Sequence, residues 1–169
     1  GKSMNIVLNK EFSNEDTVVL LFFKDKKNDH ITKFSEEIQK KVNYVLENSF
    51  KGNLNEIYSF ELLNSDSPNK VILTGLGDSD SIDQNKLRKI FSNIIRESIK
   101  LKSEKIAMFL KCADCIKTFV ESSILTTYKF DKYKSDKKDL TLKDITIITD
   151  LDAEKEISEG RLLANSTLI

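Results

Sequence analysis

The chain has 169 residues and a mass of 19.4 kDa, with 39% hydrophobic and 32% charged residues, ten Phe, no Trp and one Pro. That is the length of one domain able to bury a core without disulfides, and a composition that excludes an extended disordered segment. Twenty-seven basic side chains balance twenty-seven acidic ones, so no global field draws the chain to nucleic acid or to anionic membranes, and nucleic acid is not expected as a partner. The longest apolar run, Val18 to Phe23, is too short to span a bilayer, and no charged leader followed by an apolar stretch opens the chain. Those features predict a cytoplasmic protein with no membrane partner. Gly1, Lys2 and Ser3 resemble a tag remnant, which makes Met4 the expected start.

In chain order, Asn5 to Asn9 is a short apolar run, and Thr17 to Lys24 is continuously apolar and β-branched or aromatic, the pattern of a strand covered on both faces. Phe34, Ile38, Val42, Val45 and Leu46 recur at helical spacing with Glu36, Glu37, Lys40 and Lys41 opposite, which predicts an amphipathic helix. Glu56 to Leu63 alternates as a strand and ends in the turn-forming stretch Asn64 to Asn69. Lys70 to Thr74 is the next expected strand. After Gly75-Leu76-Gly77, the run Ser81-Ile82-Asp83-Gln84 fits a capping box, and Leu87, Ile90, Phe91, Ile94 and Ile95 mark a long helix.

Lys105 to Leu110 reads as a strand, Ile116, Phe119, Val120 and Ile124 as one face of a helix, and Asp144 to Thr149 as a strand beyond the charged stretch Lys129 to Lys143. From Ala153, the stripe Ile157, Gly160, Ala164 and Leu168 predicts a last helix, and its two small residues suit close packing on a neighbour. Alternating strands and helices with near-continuous apolar strands define the fold class as α/β, a three-layer α/β/α domain around a mixed, mainly parallel sheet.

Few motifs carry chemistry. Gly75 and Gly77 stand between an expected strand and helix, where free N–H groups and a helix dipole would hold a phosphate. Asp80 occupies the place of the third glycine of a dinucleotide fingerprint, and Asp78 and Asp80 would repel a phosphate. The alternative is a tight turn that needs glycine. Cys112-Ala113-Asp114-Cys115 lies between a strand and a helix, as reactive dithiols do. With no second Cys or His pair for zinc and no Pro following, the expectation is two reduced cysteines without redox work. His30, the only histidine, precludes a multi-His metal site and is expected as a solvated loop residue. Tyr128 to Lys134 mixes aromatics with lysines, a pattern that suits stacking on single-stranded nucleic acid; Asp131, Asp136 and Asp139 dilute the charge, and the favoured reading is a solvated helix end whose rings tuck against the core.

Three segments together resemble the leucyl (cytosol) aminopeptidase family: Val71 to Gly77 before a long helix; Tyr128-Lys129-Phe130-Asp131-Lys132-Tyr133-Lys134-Ser135, similar to the family's Tyr-Arg-Phe-Asp-x-Tyr-Lys; and Glu159 to Ile169, similar to the helix that leads into the catalytic domain. Upstream of residue 71 the resemblance is one of element order. Glu159-Gly160-Arg161-Leu162 repeats the end of the family's catalytic signature, Asn-Thr-Asp-Ala-Glu-Gly-Arg-Leu, but Lys155-Glu156-Ile157-Ser158 precedes it, so Glu159 is not assigned as a metal ligand.

The resemblance implies a macro-domain-like N-terminal domain over residues 4–152, the start of a linker helix over 153–169, and a catalytic domain absent from the sequence. That domain would be the chain's own partner, covering part of the last helix's apolar stripe, holding two divalent metals (Mn or Zn) and hydrolysing N-terminal peptide bonds. The resemblance also implies a hexameric parent. The fragment is then expected to have no catalytic residue, no metal ligand and no cofactor of its own, with only Gly75 and Gly77 as candidates for binding. The competing reading is a free-standing macro-type module for phosphate or ADP-ribose.

Overall fold

The computed structural model describes residues 4–63, 66–133 and 140–168. Gly1 to Ser3, Asn64 and Ser65 of the expected turn, residues 134–139 of the charged stretch and Ile169 lie outside the described residues.

Six strands form one sheet: β1 (Asn5–Asn9), β2 (Thr17–Phe23), β3 (Ile57–Glu61), β4 (Lys70–Gly77), β5 (Lys105–Phe109) and β6 (Asp144–Ile148), in the order β1-β6-β5-β2-β4-β3. Every pairing is parallel except β3 with β4, so the antiparallel strand is confined to one edge. Four helices accompany it: α1 (Glu36–Asn48), α2 (Gln84–Lys100), α3 (Ala113–Tyr133) and α4 (Glu154–Thr167).

The period-2 alternation of each strand divides the core in two. On β2, Val18, Leu20 and Phe22 face α1 with its Ile38, Val42 and Val45, while Val19 faces the opposite side with Ile106, Met108, Ile145 and Ile147. There α2 contributes Leu87, Ile90, Phe91, Ile94 and Ile95, α3 contributes Ile116, Phe119 and Val120, and α4 contributes Ile157. The result is three layers, as expected, with α1 on one face and α2, α3 and α4 on the other.

Local chemistry sets the helix ends. Ser35 caps α1 by accepting from Ile38 N–H at 3.3 Å. The cap of α2 is Asp83, which accepts from Lys86 N–H at 2.8 Å; Ser81, the expected capping-box residue, sits two residues before that cap and uses its carbonyl as an acceptor for Lys86 Nζ. A carboxylate at the N-cap also faces the positive end of the helix dipole, which is why Asp83 displaces the hydroxyl.

Two expectations are corrected. β4 does not stop at Thr74: it runs through Gly77, and all of Val71 to Gly77 is buried. Most of the stripe on α4, the half-buried Leu168 excepted, is covered within the chain. Ile157 is 5% exposed and Ala164 0%, and Gly160 lies so close to α3 that a Cβ there would stand 2.7 Å from Val120 Cβ and 2.8 Å from Lys117 O. The apolar side chains that α4 does expose are Leu162 and Leu163.

Candidate functional site

β2 leads to α1 on one face of the sheet, while its neighbour β5 leads to α3 on the other. Where adjacent parallel strands send their connections in opposite directions, a crevice opens beyond their carboxyl ends. In this chain the crevice is a cavity of about 330 Å³, walled by apolar side chains such as Leu21, Phe23, Leu76 and Phe91 and rimmed by His30, Lys111, Cys112 and Cys115. That volume is at the lower end of the range for small-molecule pockets.

His30 does not behave as a solvated residue. Its ring stacks on Phe109, centroids 3.9 Å apart and planes 7° from parallel, and its Nδ1 is buried without a hydrogen-bond partner. Burial, and then the charges of Lys33 and Lys111, hold its pKa below the ordinary histidine value. The loop carrying His30 is tied down by Asn28, whose Nδ2 donates to Leu21 O at 2.7 Å and whose Oδ1 accepts from His30 N–H at 2.8 Å. No local sequence pattern signals this, because Phe109 is distant along the chain.

The two cysteines flank the start of α3. Cys112 is exposed and stands just before the helix, and its Sγ accepts from Cys115 N–H at 3.2 Å, capping the first turn. Cys115 is half-buried, and burial first, then its side-chain hydrogen bond with Cys112, pushes its thiol up to about 12. The thiols are free.

Gly75 and Gly77 offer none of the free donors a phosphate needs. Gly75 N–H donates to Glu56 O at 2.7 Å, Gly77 N–H donates to Gly52 O at 2.9 Å, and the carbonyls of Gly75 and Gly77 accept from Asn55 and Lys24 N–H. The glycines are needed because the 52–56 segment lies against the strand: a Cβ on Gly75 would stand 1.9 Å from Asn53 O. The passage is thus a strand end under a crossing segment, neither a turn nor a phosphate cradle. Asp78 and Asp80 beyond it are exposed. Nearby, Asp25 accepts from Ser79 Oγ at 2.7 Å and from its N–H at 3.1 Å, and these bonds, the hydroxyl's foremost, hold its pKa below the usual carboxylate value.

The aromatic and lysine segment forms the last turns of α3, where Tyr128, Phe130 and Tyr133 are 44%, 41% and 76% exposed. Their rings do not tuck into the core as expected; Lys132 Nζ lies over the rings of Tyr128 and Tyr133. Glu159 makes ion pairs with Lys117 at 3.9 Å and Lys155 at 3.7 Å, which ties α4 to α3. Among the described residues no three His, Cys, Asp or Glu side chains converge as metal donors, so a two-metal centre does not fit the residues described.

A mixed six-stranded sheet between one helix and three, with a small apolar crevice at its switch point, defines the class: a three-layer α/β domain. The chain belongs to the cytosol aminopeptidase family, whose N-terminal domain matches residues 18–137. A probable cytosol aminopeptidase of Clostridium perfringens is 29% identical over 178 residues, covering 97% of this chain and 35% of that protein. Another from Clostridium tetani is 39% identical over 95 residues, covering 53% of this chain and 19% of that protein. The chain therefore spans about a third or less of the length of these relatives. Among solved structures, a mutant tomato leucine aminopeptidase superposes with a TM-score of 0.74 at 15% identity, over 99% of this chain and 38% of its own. The bottromycin maturation enzyme BotP superposes at 0.65 and 14% identity, over 90% of this chain and 31% of its own, and has also been solved in complex with Mn. These likenesses carry the fold.

Proposed function

We propose that this chain is the non-catalytic N-terminal domain, residues 4–152 with a linker helix from 153, of a longer cytoplasmic leucyl aminopeptidase. It supports the catalytic domain and contributes subunit contacts, in a hexamer by family resemblance. The parent removes N-terminal amino acids from peptides, and its two divalent metals, Mn or Zn, belong to the catalytic domain. The observation that carries this reading is the match of residues 18–137 to the family's N-terminal domain in relatives about three times as long. The name cytosol aminopeptidase borne by those relatives supports the location, and among the described residues no helix is long and apolar enough to cross a membrane.

The test compares the purified chain with its full-length parent and with the parent lacking residues 4–152, each supplied with Mn²⁺ or Zn²⁺ and a chromogenic leucine substrate. The chain alone should match the buffer blank, the full-length protein should turn over as an oligomer, and the deletion should lose both assembly by light scattering and most of its rate. Turnover by the chain alone, or a deletion protein that assembles and works like the parent, refutes the proposal.

A further inference from the structure

We propose that Cys112 and Cys115 form a thiol–disulfide exchange site at the mouth of the crevice, Cys112 attacking an external organic disulfide and Cys115 resolving the product. The expectation from sequence was an idle pair; the placement of the two sulfurs argues otherwise. They are the only cysteines of the chain, they sit three residues apart around the start of α3, and the hydrogen bond from Cys115 N–H holds Cys112 Sγ over the turn that carries Cys115. The pair is asymmetric in the way the two roles require. Cys112 is exposed and open to an incoming disulfide, whereas Cys115 is half-buried, so an external reagent meets Cys112 first. Burial and the bond to Cys112 keep Cys115 protonated at rest, which reserves it for the second step.

Both residues also line the crevice, beside Lys111 and against apolar walls that include Leu110 and Leu87. An apolar arm of a disulfide substrate fits there with its sulfurs at Cys112. The substrate class is therefore a disulfide R–S–S–R with at least one short apolar R group.

The chemistry balances as two exchanges. Cys112 gives its proton to solvent and its thiolate attacks one sulfur of R–S–S–R; the Cys112–S–R bond forms, the S–S bond of the reagent breaks, and one RS⁻ leaves. That thiolate takes the Cys115 proton. Cys115 then attacks the Cys112 sulfur, the intramolecular bond forms, the mixed bond breaks, and a second RS⁻ leaves and takes a proton from solvent. One disulfide is reduced to two RSH, and the two protein thiols are oxidised to one disulfide.

The test treats the whole chain and its Cys112→Ser and Cys115→Ser variants with diethyl disulfide and follows intact mass with time. The untreated proteins are checked by circular dichroism. Ser at 112 retains a cap acceptor for Cys115 N–H, and Cys115→Ala stands in if Cys115→Ser fails to fold. The wild type should lose two hydrogen masses with no lasting adduct and recover on adding dithiothreitol. Cys115→Ser should accumulate a single stable ethylthio adduct, and Cys112→Ser should react at least about 10-fold more slowly. A wild type that builds up stable adducts without losing two hydrogens, two single variants that react at the same rate, or a wild type that does not react overturns the proposal. The aminopeptidase reading stands apart from each of these outcomes, because the reagent tests only the thiols.

Discussion

Replacing Gly75 by alanine tests the claim that this glycine exists for packing. The added Cβ would meet Asn53 O at 1.9 Å, Gly52 C at 2.7 Å and Asn53 C at 2.9 Å. All three are backbone atoms, so no rotamer change relieves the clash and the 52–56 segment must move off β4. Moving it breaks the bonds from Gly75 N–H to Glu56 O, from Asn55 N–H to Gly75 O and from Gly77 N–H to Gly52 O. At about 1 kcal/mol net for each, the loss is about 3 kcal/mol, or roughly 6–12 °C in melting temperature for a domain of this size. Gly77→Ala should cost less, about 1–2 kcal/mol, because its burden is mainly the left-handed backbone at φ +72°. Urea unfolding followed by circular dichroism measures both. If Gly75→Ala falls within about 0.5 kcal/mol of wild type, the close approach does not constrain the strand and the packing argument is wrong.

Gly160→Ala sets a gain in helix propensity of about 1 kcal/mol against overpacking of Val120 and Lys117 O that costs about 1–3 kcal/mol; it should be destabilising, with Gly160→Val clearly worse, and a more stable Gly160→Ala would show that α3 and α4 separate freely. His30 is held below its ordinary pKa of 6.5 in the folded chain, so on acidification the unfolded chain takes up this proton first, and stability falls as pH drops through about 6.5, levelling once the folded histidine is also charged. Subtracting the pH–stability curve of His30→Phe from that of wild type should isolate this slope, and a flat difference between pH 7 and 5 would contradict it. Leu162→Ser and Leu163→Ser alter side chains that are 66% and 44% exposed and should each shift unfolding by no more than about 0.5 kcal/mol; a loss of several times that would mean this face is covered within the chain. Amides 165–168, in a last turn whose residues are exposed or half-buried, should exchange with solvent faster than those of Leu87 to Ile95, and equal protection would mean that α4 is anchored to its end.

The elements were legible because periodicity is a local property. Thr17 to Lys24 reads as a doubly covered strand, and all but its exposed last residue, Lys24, forms β2; the apolar positions of α2 are those that the structure buries. The misreadings share a cause, which is a partner remote in sequence. Gly75 and Gly77 look like a turn until the 52–56 segment is laid against them; His30 looks solvated until Phe109 is placed beneath it. On α4 the small residues did signal close packing, but the neighbour is α3 of the same chain. Tyr128 and Phe130 were expected to tuck in, yet α3 continues as a regular helix through Tyr133, which carries their rings to its open side. Of the crevice, the sequence showed the cysteine spacing and its place after a strand, and not the cavity, whose walls come from β2, β4, β5 and two helices.

The crevice and the buried glycines are parts of one arrangement. Leu76, between Gly75 and Gly77, is 6% exposed and belongs both to the core under α2 and to the wall of the cavity. It reaches that wall because β4 extends past Thr74, and β4 extends because Gly75 carries no Cβ to collide with the crossing segment and Gly77 takes a left-handed backbone. Had Gly75 a side chain, the strand would end earlier and the crevice would lose a wall beside the cysteines. The Gly-Leu-Gly passage therefore bears on the candidate site by its geometry and not by its amides, which are already bonded within the chain. A substitution at Gly75 should change the thiol chemistry only to the extent that it unfolds the strand end, whereas substitutions at Cys112 and Cys115 change it with the fold intact. That contrast separates the residues that shape the crevice from those that react in it.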